Sequence, residues 1–147
     1  MKRSEVREFI ESGVEALRPE MLFNSGRITE FNSERSNEFV SVWLESLSTG
    51  VDLQDSGLPY DAWNIKIHIA KKDAAGSKPE EYETIVDQCD FIGQQLIKQY
   101  NQSVTSYNMV TLDGITREPF IHKHADDLTG IILSFTLNAP DTTNLCL

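Results

Sequence analysis

The chain is poor in cysteine, in basic residues and in long apolar runs, and each shortage excludes something. Only Cys89 and Cys146 are present among 147 residues. Two thiols cannot staple a small secreted scaffold, so a reducing compartment is the expectation. No apolar run approaches the ~20 residues a helix needs to cross a bilayer. The start, Met1-Lys2-Arg3-Ser4-Glu5, is basic but is followed by no apolar stretch, so it does not read as a signal peptide. The 13 Lys and Arg are outnumbered by 23 Asp and Glu, a net charge of −10. Such a chain repels polyanions and is not built to grip phosphate backbones or anionic lipid over a broad face.

Enough remains for a folded core. Hydrophobic residues are 39% of the chain and charged residues 24%, which argues for one globular domain spanning 1–147. No internal repeat, low-complexity tract or long linker divides it.

Apolar periodicity predicts the elements. Val6, Phe9, Ile10, Val14 and Leu17 recur at helical spacing, with Ser4 as the expected N-cap and Pro19 as the stop. Strands are expected over Gly26–Asn32 and Phe39–Leu47, the second apolar on both faces and so covered on both sides. Ser48–Asp61, rich in Gly, Asp and Pro, reads as a long loop carrying Asp52, Asp55 and Asp61. Trp63, Ile65, Ile67 and Ile69 then alternate with Asn64, Lys66, His68 and Ala70, the clearest strand pattern in the chain.

Ser77 and Glu80 have capping-box spacing ahead of a long helix to about Gln102. Its stripe is Tyr82, Ile85, Val86, Cys89, Ile92, Gly93, Leu96 and Tyr100. Asp113-Gly114 predicts a two-residue hairpin between strands Tyr107–Leu112 and Ile115–Ile121. Ile131 to Asn138 reads as the last strand, and 139–147 as a tail. The expected order is α-β-β-β-α-β-β-β: an α+β fold, with an antiparallel sheet and two helices packed on one face.

Three groups of residues bear on chemistry. His122 and His124 stand two apart, with Asp126 next, in a pattern that a metal uses on an extended chain. A polar connection explains the same string. Cys89 lies on an apolar helical stripe between Asp87 and Asp90, where a buried inert thiol is expected rather than a nucleophile. Asp52, Asp55 and Asp61 do not have EF-hand spacing. Phosphate-loop, dinucleotide, nucleophile-elbow and zinc-protease signatures are missing. Arg117 and Glu118 read as a surface pair. With nothing converging on catalysis, the expectation is a non-enzyme without metal or cofactor. Tyr60, Trp63 and Tyr107, near loop ends, are candidate interface anchors or core-edge caps, and Asp52, Asp55, Asp141 and Leu147 fall in segments suited to subunit contacts.

Three stretches resemble a known family. They are Trp63-Asn64-Ile65-Lys66-Ile67-His68-Ile69-Ala70-Lys71-Lys72-Asp73, then Ser77-Lys78-Pro79-Glu80-Glu81-Tyr82-Glu83 with Asp87-Gln88-Cys89-Asp90, and lastly Arg117-Glu118-Pro119-Phe120 with Asp127-Leu128-Thr129-Gly130-Ile131-Ile132-Leu133-Ser134-Phe135-Thr136-Leu137. Together they resemble small structural proteins of tailed bacteriophages, including crAss-like phages of Bacteroides-type hosts. The element order is similar to that of tail-terminator and neck proteins. The likeness runs from about Trp63 to Leu137.

The resemblance implies a virion structural protein in a closed homo-oligomeric ring, six-fold at a tail terminus or twelve-fold near the portal. Such a ring joins portal, adjacent ring or tail proteins, and genomic DNA passes through it without sequence-specific binding. It implies host cytoplasm during assembly, then the virion neck or tail, with no membrane, metal or cofactor. A net −10 per subunit suits a DNA conduit, since Lys and Arg contacts would retard passage. Two other readings stay open: a monomeric protein-binding adaptor, and a metal-dependent enzyme using His122, His124 and Asp126.

Overall fold

The computed structural model describes residues 2–19, 21–26, 40–53, 59–72, 78–105, 111–123 and 128–140. They form helix α1 (Arg3–Leu17), strands β1 (Leu22–Gly26), β2 (Ser41–Glu45), β3 (Ser48–Leu53) and β4 (Pro59–Lys72), helix α2 (Pro79–Thr105), and strands β5 (Thr111–Lys123) and β6 (Leu128–Pro140). The fold is α+β. One sheet runs β1-β2-β4-β6-β5, and β3 also pairs with β4.

The element order departs from the expected α-β-β-β-α-β-β-β at two places. Within the expected loop Ser48–Asp61, Ser48–Leu53 and positions 59–61 are strand. Ser48–Leu53 and the start of β4 pair antiparallel, from Ser48 against Asn64 to Leu53 against Pro59. Thr49, Val51 and Leu53 alternate with polar residues, and pairing against β4 outweighs the Gly and Asp that argue for a loop. In effect β3 continues β2. Leu44 opposes Ile67 and Ser48 opposes Asn64, so three residues face two and a bulge separates the halves.

The second departure is at Asp113-Gly114, which makes no hairpin turn. β5 runs straight through it and pairs with β6, with one extra residue between Asp113 and Thr116. Gly114 has φ +59, the left-handed conformation that a glycine bulge requires. The same Asp-Gly preference serves a turn or a bulge, and β6, a thirteen-residue template, selects the bulge. A further correction concerns direction. β1 and β2 are parallel, Leu22 beside Ser41 and Gly26 beside Glu45, so the sheet is mixed rather than wholly antiparallel. Of the expected strand Gly26–Asn32, only Gly26 is described, as the last residue of β1.

Alternation in β4 sets the layers. Trp63, Ile65, Ile67 and Ile69 join Val42, Leu44, Ile131, Leu133, Phe135 and Leu137 under the helices. α1 contributes Val6, Ile10 and Val14, and α2 contributes Cys89, Ile92, Leu96, Tyr100 and Val104 to the same core. Both helices thus cover one face. Burying a side chain of this size contributes about 1.5–3 kcal/mol, which is why two stripes at helical spacing commit the chain to this layer. The opposite face has its own cluster at one end: Trp43, Ala70, Phe120 and Leu128, with Ile132 packed on it. That explains the unbroken burial of Ser41 to Leu44.

α1 begins two residues earlier than Ser4 suggested. Lys2 is the N-cap, and its backbone N–H donates to the Glu5 carboxylate at 2.6 Å. A carboxylate at this end also suits the helix dipole. The helix ends as expected before Pro19, with Arg18 N–H donating to Val14 O. Pro79 opens α2, whose first turn closes on Lys78 O. Ser77, the other half of the expected capping box, lies outside the described residues.

α2 lies low on the sheet. A Cβ on Gly93 would stand 2.7 Å from Ile131 Cδ1. At Gly130 a Cβ would collide with the backbone carbonyl of Ile69, so β4 and β6 meet there without room for a methyl group.

Candidate assembly surface

Besides β3, which pairs only with β4, the sheet ends on two edge strands of different character. β1, at one end, has five residues, Leu22-Phe23-Asn24-Ser25-Gly26, none of them charged. β5, at the other end, has thirteen and carries Asp113, Arg117, Glu118, His122 and Lys123. Among the described residues, no strand pairs with the outer side of either. Positions 111 and 113–119 of β5 are exposed. Unpaired backbone N–H and C=O groups along such an edge template another strand.

Several features bound that template. The bulge at Gly114 twists β5, and Pro119 removes one backbone donor. Between them lies Ile115, 45% exposed and, with Phe91 on α2, one of two exposed large apolar side chains among the described residues. Arg117 is tied to α2 on the helix-covered face. Its guanidinium donates to Asp90 on α2 at 2.9 Å, and Gln94 donates to the same carboxylate oxygen at 3.2 Å. Arg117 therefore does not pair with Glu118, as the sequence suggested, because neighbours on a strand point to opposite faces.

The expected interface residues are scattered. Trp63 is 3% exposed and belongs to the core beneath α1, where the Arg3 guanidinium stands 5.4 Å from its ring. It caps the core edge and does not present an anchor to solvent. Asp52 and Tyr60 oppose each other across the β3–β4 hairpin, which makes them neighbours in register. Asp61 sits on β4 between Val51 and Ala139. Asp55, Tyr107, Asp141 and Leu147 lie outside the described residues.

Of the metal-type string, His122 is placed in β5 by backbone only, while His124, Asp126 and Asp127 lie outside the described residues. Among the described residues, no three His, Cys, Asp or Glu side chains gather in a metal-binding group. The sequence left open whether His68 approaches that string. The structure engages it on another strand: its Nε2 is 3.0 Å from Glu45 Oε2, and its ring lies 6.0 Å from that of Phe120. His68 is buried in β4, on the face away from the helices.

Cys89 is buried, and its thiol is pushed up to about 12. Burial is the main cause; Lys71 opposes the shift, and Asp90 adds to it. The thiol stays protonated at neutral pH and is no nucleophile. Tyr100 is likewise raised by burial. Its hydroxyl donates to Ile10 O, so it serves the core.

Sequence reasoning missed the His68–Glu45 pair, the Asp90–Arg117–Gln94 group and the exposed Ile115. The first two join distant elements, and no local spacing signals them. The third has a local signal, a glycine bulge rather than a turn, which depends on β6. No protein-family model and no curated protein sequence matches the chain. No described helix is long and apolar enough to cross a membrane.

Proposed function

We propose that this chain is a virion structural protein of the tail-terminator or neck type, a ring-forming subunit between capsid and tail. The observation that carries the reading is the long edge strand β5, a thirteen-residue strand whose outer side pairs with no other strand among the described residues. A closed ring needs heterologous contacts, in which one surface of a subunit meets a different surface of the next. A single sheet with unlike edges at its two ends supplies such surfaces. The resemblance to phage structural proteins supports the same reading; the described residues of its three stretches lie in β4, in α2 with the Lys78 before it, and in the β5–β6 pair, which includes the edge strand.

The charge fits as well. A net −10 per subunit repeated round a ring repels DNA from its wall and lets the duplex pass. The partners in this reading are further copies of the chain, with portal, adjacent-ring or tail proteins above and below.

Native mass of the purified protein, with negative-stain images, tests the proposal. Rings of six or twelve subunits are expected, alone or after addition of portal or tail proteins from the same virion. A monomer under all these conditions overturns it and favours a monomeric adaptor.

A further inference from the structure

Strand polarity specifies more than the existence of a contact. β1 runs parallel to β2, β2 antiparallel to β4, β4 antiparallel to β6, and β6 antiparallel to β5. β5 therefore points the same way as β4, and β1 points the opposite way. Copies related by rotation about an axis along the strands keep their strand directions. Side by side, they bring β5 of one copy against β1 of the next with opposed polarity. That is the antiparallel arrangement, the better-bonded of the two sheet pairings.

We propose that the outer edge of β5 pairs antiparallel with β1 of a second copy, so that the sheet continues from subunit to subunit. The inference rests on the assembly reading above and names the surfaces it uses.

Length and charge select β1. On β5, the stretch free of interruption lies between the bulge at Gly114 and the donor lost at Pro119. This short window matches a five-residue strand and not a long one. β1 brings no charge to the contact, so two acidic subunits meet there without like-charge repulsion between the paired strands. Such an uncharged edge also lacks the Lys or Pro that blunts a solvent-facing strand. Ile115 projects from the β5 window and offers it an apolar side chain. An isologous β5–β5 contact fits less well. It closes a dimer and leaves β1 bare.

Asn24, Asp113, Thr116 and Glu118 are exposed, and register places all four on the face away from the helices. Facing residues of adjacent antiparallel strands have Cβ atoms about 4.5–5.5 Å apart, within disulfide or short bis-maleimide reach. The test introduces Asn24→Cys, and separately Asp113→Cys, Thr116→Cys and Glu118→Cys, into a full-length Cys146→Ser chain. Each variant is cross-linked alone and in mixtures, and its native mass is measured before linking.

Linked dimer in a mixture of Asn24→Cys with at least one β5 variant, and in neither alone, is the expected result. A chain carrying both substitutions then links into a ladder. Linking by a β5 variant alone overturns the inference in favour of β5–β5 contact. Ser48→Cys, exposed on β3, linking to β5 where Asn24→Cys does not transfers the contact to β3 and overturns it too. Oligomers that link in no combination overturn the strand pairing and leave the ring reading standing; monomers that link in no combination overturn the pairing, and monomers that persist after portal or tail proteins are added overturn both.

Discussion

The hydroxyl of Tyr100 on α2 donates a 2.9 Å hydrogen bond to the carbonyl oxygen of Ile10 on α1, joining the helices across 90 residues of sequence. The same ring stands 5.3 Å from Phe9 and 5.9 Å from Phe135, and it fills the space that a side chain on Gly13 would need. One residue thus fixes how α1 sits on α2 and how both sit on β6. Tyr100→Phe keeps the packing and loses the bond, at a cost of about 0.5–1.5 kcal/mol. Gly13→Ala is the sharper probe. Helix propensity alone makes it stabilising by about 1 kcal/mol, but the clash with Tyr100 makes it destabilising by about 1–3 kcal/mol. Urea unfolding of both variants reads the signs directly; a stabilised Gly13→Ala contradicts this packing.

Two strand glycines separate conformation from space. Gly114→Ala meets no neighbour within 4 Å but must hold φ +59, for about 1–2 kcal/mol. Gly130→Ala puts a methyl group into the Ile69 carbonyl and forces β4 and β6 apart. Its expected cost is larger, at or above the upper end of the roughly 1–3 kcal/mol of ordinary overpacking. Denaturant midpoints of the two variants check the order.

The buried thiol predicts a pH dependence. Cys89 ionises near 9 when exposed and near 12 in the fold. The native state therefore holds its proton more firmly than the unfolded chain does. Its contribution to stability is fully present below pH 9 and is lost as pH rises from about 9 towards 12. Tyr100, raised from 10, adds a loss of the same sign above that pH. Unfolding curves across this range should show falling stability, with a shallower fall in Cys89→Ala than in the parent. Native protein at pH 8 should also leave Cys89 unreactive towards a thiol reagent, with reaction on unfolding.

Arg117 and Asp90 test a surface contact. Each side chain is 35% exposed, so solvent screens the pair despite its 2.9 Å separation. Arg117→Ala should cost no more than about 1 kcal/mol, and the difference should shrink in high salt. A larger, salt-independent loss points to packing of the arginine stem against Gly93 instead.

Much of the layer structure was legible in the residues. The stripe Val6, Ile10, Val14 and the run Trp63, Ile65, Ile67, Ile69 announce a helix and a half-buried strand, and both face the core. The apolar stripe of α2 likewise places Cys89 inside. The candidate surface was less legible. Trp63 is an aromatic near the end of an expected loop, and nothing local reveals that α1 folds over it. Asp113-Gly114 has the composition of a hairpin turn, and only a continuous β6 alongside makes it a bulge.

The sequence by itself determined which residues are buried together, because hydrophobic period is a local property with a period of two or 3.6. It also determined the charge that any assembly must tolerate. The tertiary structure alone decided strand order, the parallel β1–β2 pair, the joining of β3 to β4 and which strands lie at the edges of the described sheet. Those outcomes are set by hydrogen bonds between backbones distant in sequence, and backbone groups are the same at every residue but proline. They carry no signature until the chain has chosen its neighbours.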